Sequence, residues 1–225
     1  MRVICISLLL FVTATLVVGA PIDPAQFSAP VRVACIGDSI TAGSGTSPGH
    51  AYPAQLQKLL GKHWLVRNFG VSARTLLRKG DFPYWKERAF TNALNSAPDV
   101  VIILLGTNDS KPQNWQYGSN FITDYTDFIK TFLNLPKKPI VFICDPPPVP
   151  EPGNYGINEA AVGEEIPIIN QIATEYKLDV IDMHKALEGK PQFLPDRVHP
   201  NNEGAQEMAR AAFRALTGTE PIVSK

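Results

Sequence analysis

Ser39 lies in "IGDSITAGSG", residues 36–45, where glycines and hydroxyls follow a short, mostly aliphatic run. Such a loop suits phosphate binding or nucleophilic attack. The phosphate patterns fail on spacing. A Walker loop requires a Gly-Lys pair after its fourth intervening residue, and no lysine follows Gly43. A dinucleotide loop would need its third glycine at Pro48. The nucleophile elbow G-x-S-x-G lacks its last glycine, because Thr41 occupies that place. What remains is a serine two residues beyond a strand-like run. A hydroxyl is a weak nucleophile, so it needs a base within reach and a group that orients the base. Without them Ser39 is a turn or cap residue.

Only four histidines are available as that base. His50 and His63 flank a predicted helix without an acidic companion, and His184 reads as a helix-start or packing residue. His199 stands in "LPDRVHPNNEG", three residues after Asp196 and just before a helical pattern. One turn can present both side chains, the carboxylate fixing one ring nitrogen and leaving the other to take a proton. The alternative is a capping Asp and a surface His. Charge that builds on a carbonyl oxygen during acyl transfer also needs fixed donors. Gly70 in "RNFGVSA" and Asn108 in "LLGTNDS" are the candidates, a backbone N–H and a neutral side-chain amide. Alone, each reads as a turn or cap residue. Together with Ser39, Asp196 and His199, they divide the roles of a hydrolytic site.

The elements that must position these residues alternate. Strand patterns fall at 31–36, 65–68, 100–105, 140–144 and 179–181, with helical periodicity at 51–60, 84–94, 119–133, 158–176 and 202–216. Pro167 is expected to kink or restart the fourth helix. "VVIILL" and "IVFIC" are continuous aliphatic runs, as in parallel strands covered on both faces. The expected fold is an α/β three-layer sandwich with a five-stranded parallel sheet in the order 2-1-3-4-5. Ligands bind at the carboxyl ends of strands in such sheets, where Ser39, Gly70 and Asn108 all fall.

The chain has 225 residues, 44% of them hydrophobic, and balanced charge, with 21 Lys+Arg against 21 Asp+Glu. That balance argues against a nucleic-acid partner. Residues 1–20 read as a signal peptide: a positive start, an apolar stretch too short for a typical membrane span, and a small-residue ending. Pro21 fits poorly after a cleavage site, so retention as a membrane anchor is the alternative. Residues 21–225 are expected to form one domain of an exported protein, periplasmic or extracellular. Cys35 and Cys144 sit in predicted buried strands on non-adjacent positions, and no disulfide is expected between them. The histidines and cysteines lack metal-ligand spacing, so neither metal nor cofactor is expected.

Four segments in order, "GDS" at 37–39, Gly70, "GTND" at 106–109 and "DRVH" at 196–199, resemble the SGNH/GDSL hydrolase family. The resemblance implies a serine esterase with Ser39 as nucleophile, His199 as general acid/base and Asp196 as its orienting partner. It also implies an oxyanion hole made of the Ser39 and Gly70 N–H groups and the Asn108 side chain. Asp38 and Asp109 are expected to hydrogen-bond within their own loops. A looser similarity, in the polar and aromatic loops, is to secreted bacterial carbohydrate O-acetylesterases of the sialate- and xylan-acetylesterase kind. It implies a glycan or small-molecule acetyl ester as substrate, with Trp85 and Trp115 as candidate sugar-contacting residues, unless they merely cover core. The rival readings are a lysophospholipase- or thioesterase-type acyl hydrolase, and a glycan-binding module with a dormant site.

Overall fold

A computed structural model describes residues 19–221. The expected signal peptide lies outside the described residues except for Gly19 and Ala20. Five parallel strands form one sheet in the order β2-β1-β3-β4-β5: β1 (Val31–Gly37), β2 (Trp64–Gly70), β3 (Val100–Leu104), β4 (Ile140–Asp145) and β5 (Asp179–Asp182). Among the described residues the α-helices are α1 (Ser39–Ala42), α2 (Tyr52–Leu60), α3 (Arg88–Asn95), α4 (Pro112–Trp115), α5 (Phe121–Leu133), α6 (Glu159–Tyr176), α7 (Met183–Leu187) and α8 (Asn202–Thr217). No helix among the described residues is long and apolar enough to cross a membrane.

The period of two along each strand divides the core. Val31, Val33, Cys35, Ile102, Leu104, Phe142 and Cys144 face α2, α7 and α8, where they meet Tyr52, Leu56, Met183, Leu187 and Met208. Ile36, Val101, Ile103, Val141 and Ile143 face the other layer, with Ala93 of α3, Phe121, Tyr125 and Phe128 of α5, and Ile169 of α6. Central strands are therefore apolar on both faces, which is why "VVIILL" shows no alternation. Cys35 and Cys144 are free and buried, with β3 between their strands. Burial pushes the Cys35 thiol up to about 12, which leaves it an inert packing group.

Two helical expectations change in detail. The stretch 84–94 is not one helix. A 3₁₀ turn at Tyr84–Lys86 and helix α3 are separated by Glu87, which is extended at φ −84° and ψ 144°. Tertiary contacts set this break: Trp85 Nε1 donates to the Leu76 carbonyl (2.7 Å), the Tyr84 hydroxyl donates to the Phe69 carbonyl, and Glu87 pairs with Arg74 (2.7 Å). Helix α6, by contrast, does not restart at Pro167 and is assigned as one element from an Asn158 cap to Tyr176. Its buried face, including Val162, Ile169 and Ile172, offsets the single helix bond that proline removes.

Parallel pairing places all five carboxyl ends on one edge. Gly37 pairs with both Gly70 and Leu104, so the loops carrying Ser39 and Asn108 leave the sheet side by side, next to the end of β2. Gly70 has a packing reason to be glycine. A methyl group there would collide with the backbone of Thr41 and Ala42 in α1. The loop after β2 is held from below by an aromatic cluster: Phe128 meets Trp85 (4.9 Å between centroids), Phe90 (5.1 Å), Phe132 (5.6 Å) and Tyr84 (6.0 Å). Replacing Phe128, which is fully buried, with alanine should lower unfolding free energy by about 3–5 kcal/mol. Equilibrium urea denaturation measures this, and a loss under 1 kcal/mol would show that the cluster does not support the loop.

Candidate active site

Ser39 opens α1 directly after β1. Asp38 caps that short helix, its Oδ1 accepting the Ile40 N–H (2.9 Å). The cap turns the Ser39 side chain toward the segment before α8, where Ser39 Oγ and His199 Nε2 lie 2.9 Å apart. His199 Nδ1 lies 2.7 Å from Asp196 Oδ2. Asp196 Oδ1 accepts the backbone N–H groups of Val198 (3.0 Å) and His199 (2.7 Å). One carboxylate therefore builds the turn with one oxygen and orients the imidazole with the other. The capping and the orienting readings of Asp196 both describe it.

Burial pushes the Asp196 carboxyl up, but hydrogen bonds from His199 and Val198 outweigh it and hold the group below its ordinary value. An ionised Asp196 accepts, so the imidazole carries its proton on Nδ1. That leaves Nε2 as the acceptor for the Ser39 hydroxyl. The row can move a proton from hydroxyl to ring without a metal. Among the described residues, no group of three or more His, Cys, Asp or Glu is placed to hold one.

The expected anion donors are placed less simply. Asn108 is buried, and its Nδ2 donates to Asp38 Oδ2 (3.1 Å) and to the Arg74 carbonyl (3.2 Å). Both partners are acceptors, which fixes which end of the amide faces them. These bonds are long, and the amide must share them with any oxyanion it meets. Gly70 requires a correction. Its N–H is donated to Asn68 Oδ1 (2.8 Å), a local bond at the open edge of β2, while the Val71 N–H pairs with the Gly37 carbonyl (3.0 Å). Beyond it, the N–H groups of Ser72, Ala73 and Arg74 have no partner among the described residues. Ala73 is left-handed at φ 66°, a conformation that disfavours any side chain.

Asp38 and Asp109 are the residues that sequence reasoning underrated. Asp38 bonds its own loop and also holds Asn108. Asp109 reaches outside its loop: its two oxygens accept the N–H groups of Leu76 (2.9 Å) and Leu77 (2.7 Å), stapling the loop after β2 to the loop after β3. Burial pushes Asp38 up to about 6, against the Ile40 N–H, His199, Asn108 and Lys111. Burial pushes Asp109 up to about 7, against the Leu77 and Leu76 N–H groups, with the neighbouring Asp38 adding to the rise. Glu165 lies behind them, fully buried beside Gly106, with neither carboxyl oxygen partnered among the described residues. Burial first, then Asp109, Asp38 and Glu164, push its pKa well above the ordinary value.

Both tryptophans are half-buried. Trp85 has the Arg78 guanidinium 3.9 Å from its ring centre and packs edge-on against Phe128 and Phe90. Trp115 donates from Nε1 to Glu164 (2.7 Å) and packs against Phe121. The structure gives both of them the packing role. The aromatic beside the triad is Tyr155, its ring centroid 5.6 Å from that of His199. "NYGIN" is the aromatic turn that carries it, and its sequence alone does not tell which loop reaches the histidine.

Residues 35–207 match the GDSL-like lipase/acylhydrolase family. The chain belongs to that family. It is 44% identical over 214 residues to an acetylxylan esterase of Xylanibacter ruminicola, an alignment that covers 86% of this chain and 44% of that protein. The chain thus spans under half the length of that curated relative. Among solved structures it is similar to Est24, a carbohydrate acetylesterase from Sinorhizobium meliloti (TM-score 0.66, 21% identity, 81% of this chain and 96% of that one). An inhibitor-bound aryl esterase of M. smegmatis is similar to the same degree (TM-score 0.66, 20% identity, 82% and 97%). At those identities the likeness speaks for the fold alone.

The three buried acids set a pH dependence. A carboxyl held protonated in the fold ionises more readily when unfolded, so the folded state loses stability as pH rises from the ordinary carboxylate range toward the folded pKa. The melting temperature should therefore fall between pH 5 and pH 8, across the values near 6 and 7 of Asp38 and Asp109. Glu165→Gln should flatten that decline, with the variant gaining on the native chain as pH rises. Parallel melting curves at the two pH values would show that Glu165 is not held protonated.

Proposed function

We propose that this chain is a serine esterase that removes acetyl groups from carbohydrate through an acyl-enzyme. The observation that carries the reading is the unbroken row Ser39 Oγ, His199 Nε2 (2.9 Å), His199 Nδ1, Asp196 Oδ2 (2.7 Å) at the carboxyl edge of the sheet. Membership of an acylhydrolase family supports the reaction class. The name of the relative from Xylanibacter ruminicola supports the substrate class.

The geometry performs the reaction as follows. His199 Nε2 takes the Ser39 proton as Oγ attacks the ester carbonyl. Negative charge forms on the carbonyl oxygen. It is met by the Ser39 N–H, the first of α1 and without an intrahelical acceptor, and by the Asn108 amide. A backbone N–H of the 72–74 segment is the third donor, in place of Gly70. His199 then passes its proton to the leaving alcohol oxygen as the carbon–oxygen bond breaks, and the acetyl group stays on Ser39 Oγ. A water gives a proton to Nε2 and attacks the acyl carbon; His199 returns that proton to Ser39 Oγ as the acyl–oxygen bond breaks, which frees acetic acid and restores the hydroxyl. Asp196, ionised, steadies the imidazolium at both stages.

The pattern of residues 1–20 supports export to the periplasm or the exterior, with membrane anchoring if the segment is retained. Amino-terminal sequencing of the protein recovered from its host decides between them.

Ser39→Ala should abolish ester hydrolysis with melting temperature retained, and Asp196→Asn should lower kcat by on the order of 10⁴, the loss that follows when the base is left in the wrong tautomer. Release of p-nitrophenol from esters of increasing acyl length checks both, and activity should be greatest with acetate. An optimum at eight carbons or beyond would favour the lysophospholipase/thioesterase reading. Equal inertness of native and Ser39→Ala proteins on these esters and on acetylated sugars would favour a binding module.

A further inference from the structure

Tyr155 is 58% exposed, the most exposed of four large hydrophobic residues that face solvent among the described residues. Two of the others, Leu65 and Ile140, lie at the starts of β2 and β4, at the sheet edge away from the site. Phe82 has the Arg74 guanidinium 5.6 Å from its ring centre. Tyr155 instead borders the triad. Its ring lies 5.6 Å from the His199 ring, tilted by 54°, and its hydroxyl donates to Asp196 Oδ2 (3.3 Å).

The loop holds this placement against a backbone preference. Tyr155 is left-handed at φ 53°, a conformation costly for a residue with a side chain and found where surroundings enforce it. The Tyr155 N–H is donated to Asn154 Oδ1 (2.9 Å), Asn154 Nδ2 donates to the Asp196 carbonyl (2.9 Å), and Arg197 Nη1 donates to the Gly153 carbonyl (3.2 Å). The turn is thus tied to the same segment that carries Asp196 and His199. A mobile loop tip would need none of these bonds.

We propose that Tyr155 is a specificity-determining residue, the platform on which the alcohol half of the ester rests, and that this alcohol is a pyranose. The inference rests on the esterase reading of the site. His199 must reach the leaving oxygen to protonate it, so the rest of the alcohol lies over whatever borders the imidazole. That border is an exposed aromatic ring with a polar tip. A sugar presents an apolar C–H face to such a ring and keeps its hydroxyls at the rim, where the Tyr155 hydroxyl already faces Asp196. A two-carbon alcohol is too short to cover the ring.

The test compares ethyl acetate with mono-O-acetylated methyl xyloside on the full chain and on Tyr155→Ala, Tyr155→Leu and Tyr155→Phe. Loss of the aromatic face in the Ala and Leu variants should lower kcat/KM on the xyloside about tenfold more than on ethyl acetate, mainly through KM, a scale set by one aromatic contact. The Phe variant, which keeps the ring, should keep the native ratio between the two esters. Equal loss on both esters in the Ala and Leu variants would overturn the platform and leave Tyr155 acting through the His–Asp pair. A Phe variant as impaired on the xyloside as the Ala variant would also overturn it, in favour of the hydroxyl. A native protein inert on both esters would remove the esterase reading itself, a result distinct from either.

Discussion

The site depends on buried carboxyl groups that hold loops together. Asp109 accepts two backbone N–H groups from the loop after β2, and Asp38 accepts one from α1 and one from the Asn108 amide. Together they join three separate strand ends into one surface. A backbone-to-carboxyl bond has a direction and a fixed length, whereas apolar packing would leave such small polar loops loosely placed. The cost is visible in the acids themselves. Burial drives Asp38 to about 6 and Asp109 to about 7, so neither is a comfortable charge. Glu165 lies behind them, and burial likewise pushes its carboxyl well above the ordinary value.

Asp196 works by a different economy of atoms. It is part-exposed, and its hydrogen bonds keep it ionised. One oxygen closes a three-residue turn and the other faces the ring, so the same short segment that starts α8 also presents the base. Gly45 makes room on the other side, since a methyl group there would press on His199 and Pro200. The two carboxyl environments account for different tasks. The buried acids fix loops, and the wet one polarises an imidazole. Their pKa values move in opposite directions for that reason.

Much of the fold was legible. Long apolar runs, helical stripes and β-α alternation identify a parallel sheet because burial on both faces leaves a local mark on composition. The strand order followed from that class. The break at Glu87 and the continuity of α6 through Pro167 were not legible, since each is decided by contacts with residues distant in sequence. The family blocks in turn named Ser39, Asp196, His199 and Asn108, and the structure brings the first three into one hydrogen-bonded row. The same reading gave Gly70 a donor role, where its N–H turns out to face Asn68 and its lack of a side chain lets α1 approach.

By itself the sequence determined which residue types are present at strand ends, and therefore what chemistry the chain can perform. Hydroxyl, imidazole and carboxylate are properties of residues, and the capping turn of Asp196 is a property of four consecutive ones. Only the tertiary structure decided direction: which way the Gly70 N–H points, which loop Asp109 reaches, that Arg78 covers Trp85, and that Tyr155 stands beside His199. The physical reason is range. Propensity and periodicity act over a few residues. The Ser39–His199 contact spans 160 positions, and an N–H or an aromatic face acquires its function from whatever the fold sets opposite it.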